Sequence, residues 1–136
     1  YNTMADKLDH MYIHKHRLNI PSIVISRTKN GSQQIIQNYE AVLAEFANPN
    51  DTVDIRVLFE RCMADELSCP NNTNDKMKLL IHGKVKSAAI INSVHKNVVK
   101  LRKCGVCKSY KTHLSRESRC LYMNCEECQS TSVISQ

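Results

Sequence analysis

Apolar residues at three- and four-residue spacing mark helices along this chain, and short apolar runs between turn residues mark strands. Tyr1, Met4, Leu8, Met11 and Tyr12 share one face of a helix expected over roughly residues 2–15, with Asp6, Lys7, Asp9, Lys15 and three histidines opposite. Pro21 closes off any continuation. Ser22 to Ser26 and Gln33 to Gln37 read as two strands, joined through Asn30-Gly31, a dipeptide that accepts the positive φ of a tight hairpin turn. Asn38 is placed to cap a helix carrying Val42, Leu43 and Phe46 inward and ending near Asn48-Pro49. A second helix is expected from Asp51 or Thr52, with Asp54 near its positive end and Ile55, Leu58, Phe59, Cys62, Met63 and Leu67 on its apolar face. Residues 68–75 are loop by composition. Met77 to Ile81 predicts a third strand ending at Gly83, and Ser87 to Leu101 a last helix with Ile91, Val94, Val98 and Leu101 in phase. Helices and strands mixed on a scale of about 80 residues predict one compact α/β layer unit.

Composition bounds what such a unit can do. At 136 residues, 42% hydrophobic, with no Trp and two Phe, the chain suits one or two small domains with a modest aliphatic core rather than a large enzyme. No run approaches the roughly 18 apolar residues of a membrane span, and no charged-then-apolar leader opens the chain. The glycosylation patterns at Asn30-Gly31-Ser32 and Asn71-Asn72-Thr73 are discounted for the same reason. Seven cysteines, an odd number, disfavour a fully paired disulfide framework, so the expected compartment is the cytoplasm. Tyr rather than Met at position 1 predicts a segment upstream.

Charge is unevenly spread. Residues 76–136 carry twelve Lys or Arg against three Glu, whereas residues 40–75 carry two Arg against eight acids. The basic half fits a polyanion such as RNA, and on charge alone it fits a solvated surface equally well.

The strongest chemical signal is Cys104-Gly-Val-Cys107, seventeen residues, then Cys125-Glu-Glu-Cys128. Two CxxC turns about 15–20 residues apart present four thiolates to one tetrahedral centre, which suits a single structural zinc ion. A redox CxxC would need one motif at a helix start. An iron–sulfur cluster more often has closer or asymmetric spacing. Catalytic zinc needs an open position that four thiolates do not leave. A ribbon of some 30 residues buries too little to fold unaided, so the metal is expected to make the fold. Thr112 to Leu114 and Cys120 to Met123 read as its strands, with Arg116-Glu117 near the turn, Cys120 as core filler and His113 as a surface histidine. Lys103, Lys108, Lys111, Arg116 and Arg119 make the ribbon basic and are candidate RNA contacts, beside the alternative of a solvated set.

Four further segments carry a resemblance: Tyr1-Asn2 followed by Leu8, Gln34-Ile35-Ile36-Gln37-Asn38-Tyr39, Leu79-Leu80-Ile81-His82-Gly83-Lys84, and Ser118-Arg119 through Ser130 with Ser132-Val133. In this order they resemble the beta subunit of eukaryotic and archaeal translation initiation factor 2, over nearly the whole chain. The first resembles that family's opening helix, the second its strand-to-helix junction, the third its Leu-x-Ile-x-Gly strand end and the fourth its ribbon. After the second helix the family has a glycine-containing turn, where this chain has Ser68-Cys69-Pro70-Asn71.

The resemblance implies an α+β protein in three parts: an amphipathic docking helix (1–20), an α/β domain with linking helix (21–101) and a four-cysteine zinc ribbon (102–136). It implies a non-catalytic subunit of a heterotrimer whose gamma subunit binds GTP and initiator tRNA and delivers the tRNA to the small ribosomal subunit. By position, Tyr1, Met4, Leu8, Met11 and Tyr12 would be the contact face for gamma; the alternative is that this stripe packs on the chain's own α/β part. Two other functions compete. The GTPase-activating domain of initiation factor 5 shares the plan and would need an arginine near the front, for which Arg17 is the candidate. A stand-alone RNA-binding zinc ribbon would bind RNA tightly and salt-sensitively without a partner.

Overall fold

The computed structural model describes residues 20–28 and 31–134, so the expected helix over 2–15, its apolar stripe and Arg17 lie outside the described residues. Within them the chain is mixed helix and strand, as the α+β expectation had it. Strands β1 (Ile25–Arg27) and β2 (Gln33–Ile36) lead into α1 (Tyr39–Phe46) and α2 (Ile55–Leu67). Strands β3 (Asn71–Thr73) and β4 (Leu79–His82) precede the long helix α3 (Ser87–Arg102), and β5 (Thr112–Glu117), β6 (Cys120–Cys125) and β7 (Thr131–Ile134) complete the chain. The first four strands form one antiparallel sheet in the order β1-β2-β4-β3, and the last three a second in the order β5-β6-β7. Among the described residues no helix is long and apolar enough to cross a membrane.

Period and burial agree for most elements. Ile36 from β2 with Leu79 and Ile81 from β4 face Tyr39, Val42, Leu43 and Phe46 of α1 and Leu58, Phe59 and Met63 of α2 in one core cluster. Phe59 lies 5.0 Å from Phe46 and 6.2 Å from Tyr39 between ring centroids, within the range of favourable aromatic pairs. On α3 the inward face is Ile90, Val94, Val98 and Leu101; Ile91 is only half-buried, one position out of phase with the expected stripe.

Three local expectations are corrected. Asn38 stands at the start of α1 but makes no cap bond. Its amide instead bridges the segment before β1, accepting from Val24 N at 3.0 Å and donating to Ser22 O at 2.7 Å. The second helix starts at Ile55, where Asp54 Oδ1 accepts the Arg56 and Val57 amides at 3.1 and 3.4 Å; Asp51 is used elsewhere. Residues 71–73, expected as loop, are an edge strand: Asn71 and Thr73 pair with Ile81 and Leu79. Backbone pairing decides here, reinforced by Asn71 Nδ2 on Glu60 O at 2.9 Å and Thr73 Oγ1 on Glu60 Oε2 at 2.6 Å.

Two backbone positions follow from the turn after α2. Ser68 takes the left-handed conformation (φ 54°), where the resembled family has a glycine-containing turn, and lets Cys69 N reach Ala64 O at 3.2 Å. Gly83 ends β4 because a Cβ there would lie 2.6 Å from Cys69 Sγ.

Candidate metal centre

The two CxxC segments fold into the same turn. In the first, Cys104 N donates to Ser109 O at 2.8 Å and Lys108 N to Cys104 O at 3.1 Å, with Lys108 at φ 66°. In the second, Cys125 N donates to Ser130 O at 2.9 Å and Gln129 N to Cys125 O at 3.2 Å, with Gln129 at φ 64°. Each turn points amides at its first sulfur: Val106 N lies 3.3 Å from Cys104 Sγ and Cys128 N lies 3.4 Å from Cys125 Sγ. The first turn is delivered by the end of α3 and the second by the end of β6, and the paired sheet sets them face to face.

All four sulfurs therefore converge within 4.8 Å of one another, a group that can hold a metal ion. Cys104 and Cys125 are buried, Cys107 is half-buried and Cys128 is exposed. Contacts run across the turns, with Cys104 Sγ 3.6 Å from Cys128 Sγ and Cys107 Sγ 3.5 Å from Cys125 Sγ. An ion held by all four has no open coordination position, so the arrangement suits structure rather than catalysis.

The sulfurs are electrostatically unequal. Burial opposes ionisation of Cys104, but the Ser130 hydroxyl and the Cys107 and Val106 amides outweigh it and hold the thiol down to about 6. Burial pushes Cys125 up to about 12. Hydrogen bonds from the Ser130 side chain and backbone lower Cys128. A cation among four sulfurs favours thiolate at every one and so levels this spread.

Ser130 Oγ sits 3.4 Å from Cys104 Sγ and 3.0 Å from Cys128 Sγ, joining the two turns. Sequence reading missed it, yet its signal was present: both motifs continue as Cys-x-x-Cys-x-Ser, ending at Ser109 and Ser130. Cys120, expected as core filler, is exposed. Strand alternation turns Leu121, Met123 and Cys125 inward and Cys120 outward. His113 is no ligand; its Nδ1 lies 3.2 Å from Glu126 Oε2.

The five candidate cations do not gather in one patch. Lys103, Lys108 and Lys111 surround the first CxxC turn, whereas Arg116 and Arg119 lie at the far end of the β5–β6 hairpin, about 17 Å along the strand.

Neither cysteine motif tells how the ribbon is fastened. Arg102, 1% exposed at the end of α3, pairs through both terminal nitrogens with the Asp51 carboxylate, itself 5% exposed. Its Nε donates to Phe46 O at 2.7 Å and its Nη1 to Thr112 O at 3.1 Å. Asp51 Oδ1 also accepts Leu114 N at 2.8 Å. Glu126, inside the second CxxC, accepts from Asn48 Nδ2 at 2.8 Å. The α1–α2 connection, the end of α3 and β5 thus meet in one buried polar seam beside the cysteine cluster.

Comparison with known proteins agrees with this architecture. Residues 9–131 match the model of a family described as a domain found in initiation factors 2B and 5. The chain is similar to proteins named "Translation initiation factor 2 subunit beta": that of Saccharolobus solfataricus is 30% identical over 110 residues, 80% of this chain and 73% of that protein. Its counterpart in Sulfurisphaera tokodaii is 26% identical over 109 residues, with the same 80% and 73% coverage. The family match over residues 9–131, with a relative 30% identical over 80% of the chain, places this chain in the initiation factor 2 beta and initiation factor 5 family of translation initiation factors.

Proposed function

We propose that the chain is the non-catalytic beta subunit of a heterotrimeric, cytoplasmic initiation factor 2, binding the GTPase gamma subunit and assisting delivery of initiator tRNA to the small ribosomal subunit. The observation that carries this reading is the similarity to beta subunits over 80% of the chain, beside a family match over residues 9–131 that takes in the cysteine ribbon. Tyr1, Met4, Leu8, Met11 and Tyr12 would form the gamma-binding face, since an apolar stripe at helical spacing suits docking on a partner. Lys103, Lys108, Lys111, Arg116 and Arg119 would contribute RNA contacts from two ends of the ribbon. The ion is proposed to be one Zn²⁺: four soft sulfur donors suit it, and it supplies folding free energy with no reactive position. In this reading the parts divide at 1–20, 21–101 and 102–136.

Co-purification with gamma tests the reading. Wild-type chain should retain gamma through a salt wash and Leu8→Asp should lose it; retention by the variant would contradict the docking face. The matched family also contains initiation factor 5, which keeps the GTPase-activating alternative in view. Acceleration of GTP hydrolysis on gamma that disappears in Arg17→Ala would favour that alternative.

A further inference from the structure

Ser109 and Ser130 occupy the same place in the two cysteine motifs, two positions after the second cysteine. Their carbonyls serve alike. Ser109 O accepts the Cys104 amide at 2.8 Å, and Ser130 O accepts the Cys125 amide at 2.9 Å. Their hydroxyls diverge. Ser109 is fully buried, and its Oγ accepts the Lys111 amide at 3.0 Å. Ser130 Oγ lies 3.0 Å from Cys128 Sγ in its own motif and 3.4 Å from Cys104 Sγ in the other. Cys107, the counterpart of Cys128, meets no hydroxyl among the described residues; its sulfur contacts Cys125 Sγ.

A metal-bound thiolate carries no proton and can only accept, so beside an ion the Ser130 hydroxyl is the donor. It has one proton to give, and the shorter contact directs that proton to Cys128. Cys128 is the exposed member of the four cysteines, the one a competing ligand reaches first. Ser130 is well held for the task. Its carbonyl is fixed in the second turn, and the next residue, Thr131, opens β7 and pairs with Asn124 of β6. Hydrogen-bond partners behind a metal's ligands fix the orientation of those ligands and tune how firmly the ion is held.

We propose that Ser130 is a positioning residue of the metal centre: its hydroxyl, donating to the Cys128 thiolate, keeps the exposed ligand on the ion and sets how tightly the metal is held. The first motif has no equivalent. The proposal rests on the four cysteines holding one metal ion, and it is independent of gamma and of RNA.

The full chain loaded with Co²⁺ tests it, because thiolate-to-cobalt charge-transfer absorption reports how readily each sulfur donates electrons. The wild type should show the bands of a tetrahedral four-thiolate site. Their absence would contradict the metal centre itself and take the proposal with it. Ser130→Ala should keep these bands but move the charge-transfer absorption to longer wavelength, since a sulfur freed of a hydrogen bond donates more readily. It should also hold Zn²⁺ about tenfold more weakly against a competing chelator. Thr and Val share a shape and both suit a strand start, so Ser130→Thr against Ser130→Val isolates the hydroxyl even if the alanine variant fails to fold. The Val variant should show the shifted band and weaker binding, the Thr variant neither. Ser109→Ala removes a buried hydroxyl that touches no sulfur and should leave the band in place. An unshifted band in Ser130→Val, even with weakened binding, would overturn the proposal, because a merely structural loss gives that result. An equal shift in Ser109→Ala would overturn it as well.

Discussion

The sheet-and-helix part and the cysteine ribbon reach order by different physics. The first buries three helices and the inner face of β2 and β4 in a continuous aliphatic and aromatic core. Among the described residues the ribbon adds Leu114, Leu121 and Met123 to that core, with Ile134 packed against it, and its other buried groups are polar or sulfur: Ser109, Thr112, Cys104 and Cys125. Apolar area suffices for the one; the other needs four converging sulfurs and a graft onto its neighbour. The graft is the Asp51–Arg102 pair, whose partners are 51 residues apart. A module can therefore be plainly marked by its own motif while its attachment is written elsewhere.

The largest effect should come from the sulfurs. Structural zinc in comparable small modules is worth about 10–16 kcal/mol, so Cys104→Ser should erase the dispersed ribbon resonances in amide NMR spectra while those of α1, α2 and β4 survive. Survival of both sets would break the contrast between the two parts. Next comes the graft. Arg102→Met strands a buried carboxylate and should lower stability by about 3–5 kcal/mol in urea unfolding, with much of the loss recovered by adding Asp51→Leu. Recovery would show that the pair fixes geometry more than it adds stability.

Two smaller changes probe the sheet-and-helix part alone. Gly83→Ala drives a methyl against Cys69 Sγ, 2.6 Å away, and should cost about 1–3 kcal/mol. Cys69→Ala should relieve it, because only the sulfur stands that close. Ser68→Gly removes a side chain from a left-handed position and should raise stability by up to about 1 kcal/mol by the same assay. Neither should alter the ribbon resonances.

Local pattern carried much of this fold. The inward residues of α1 and α2, the β1–β2 hairpin, the extent of α3 and both cysteine turns could be read from spacing, because each is decided within a few residues. What escaped is decided at a distance. The strand at Asn71–Thr73 has no strand-forming composition and exists because β4 offers it a backbone edge. Asp51 looks like a helix cap until Arg102 claims it, leaving that task to Asp54. Strand β7 follows the second cysteine turn, and its pairing with β6 places Val133 opposite Tyr122. At the cysteine centre the four sulfurs were legible, whereas Ser130 needed the two motifs to be aligned on each other.

Native mass spectrometry of the purified chain, read together with amide exchange over residues 104–134, tests the central claim most directly. One zinc per chain is predicted, with its removal by a chelator stripping exchange protection from the ribbon while the core of α1, α2 and β4 stays protected. A chain that carries no stoichiometric metal and still protects its ribbon would contradict the account.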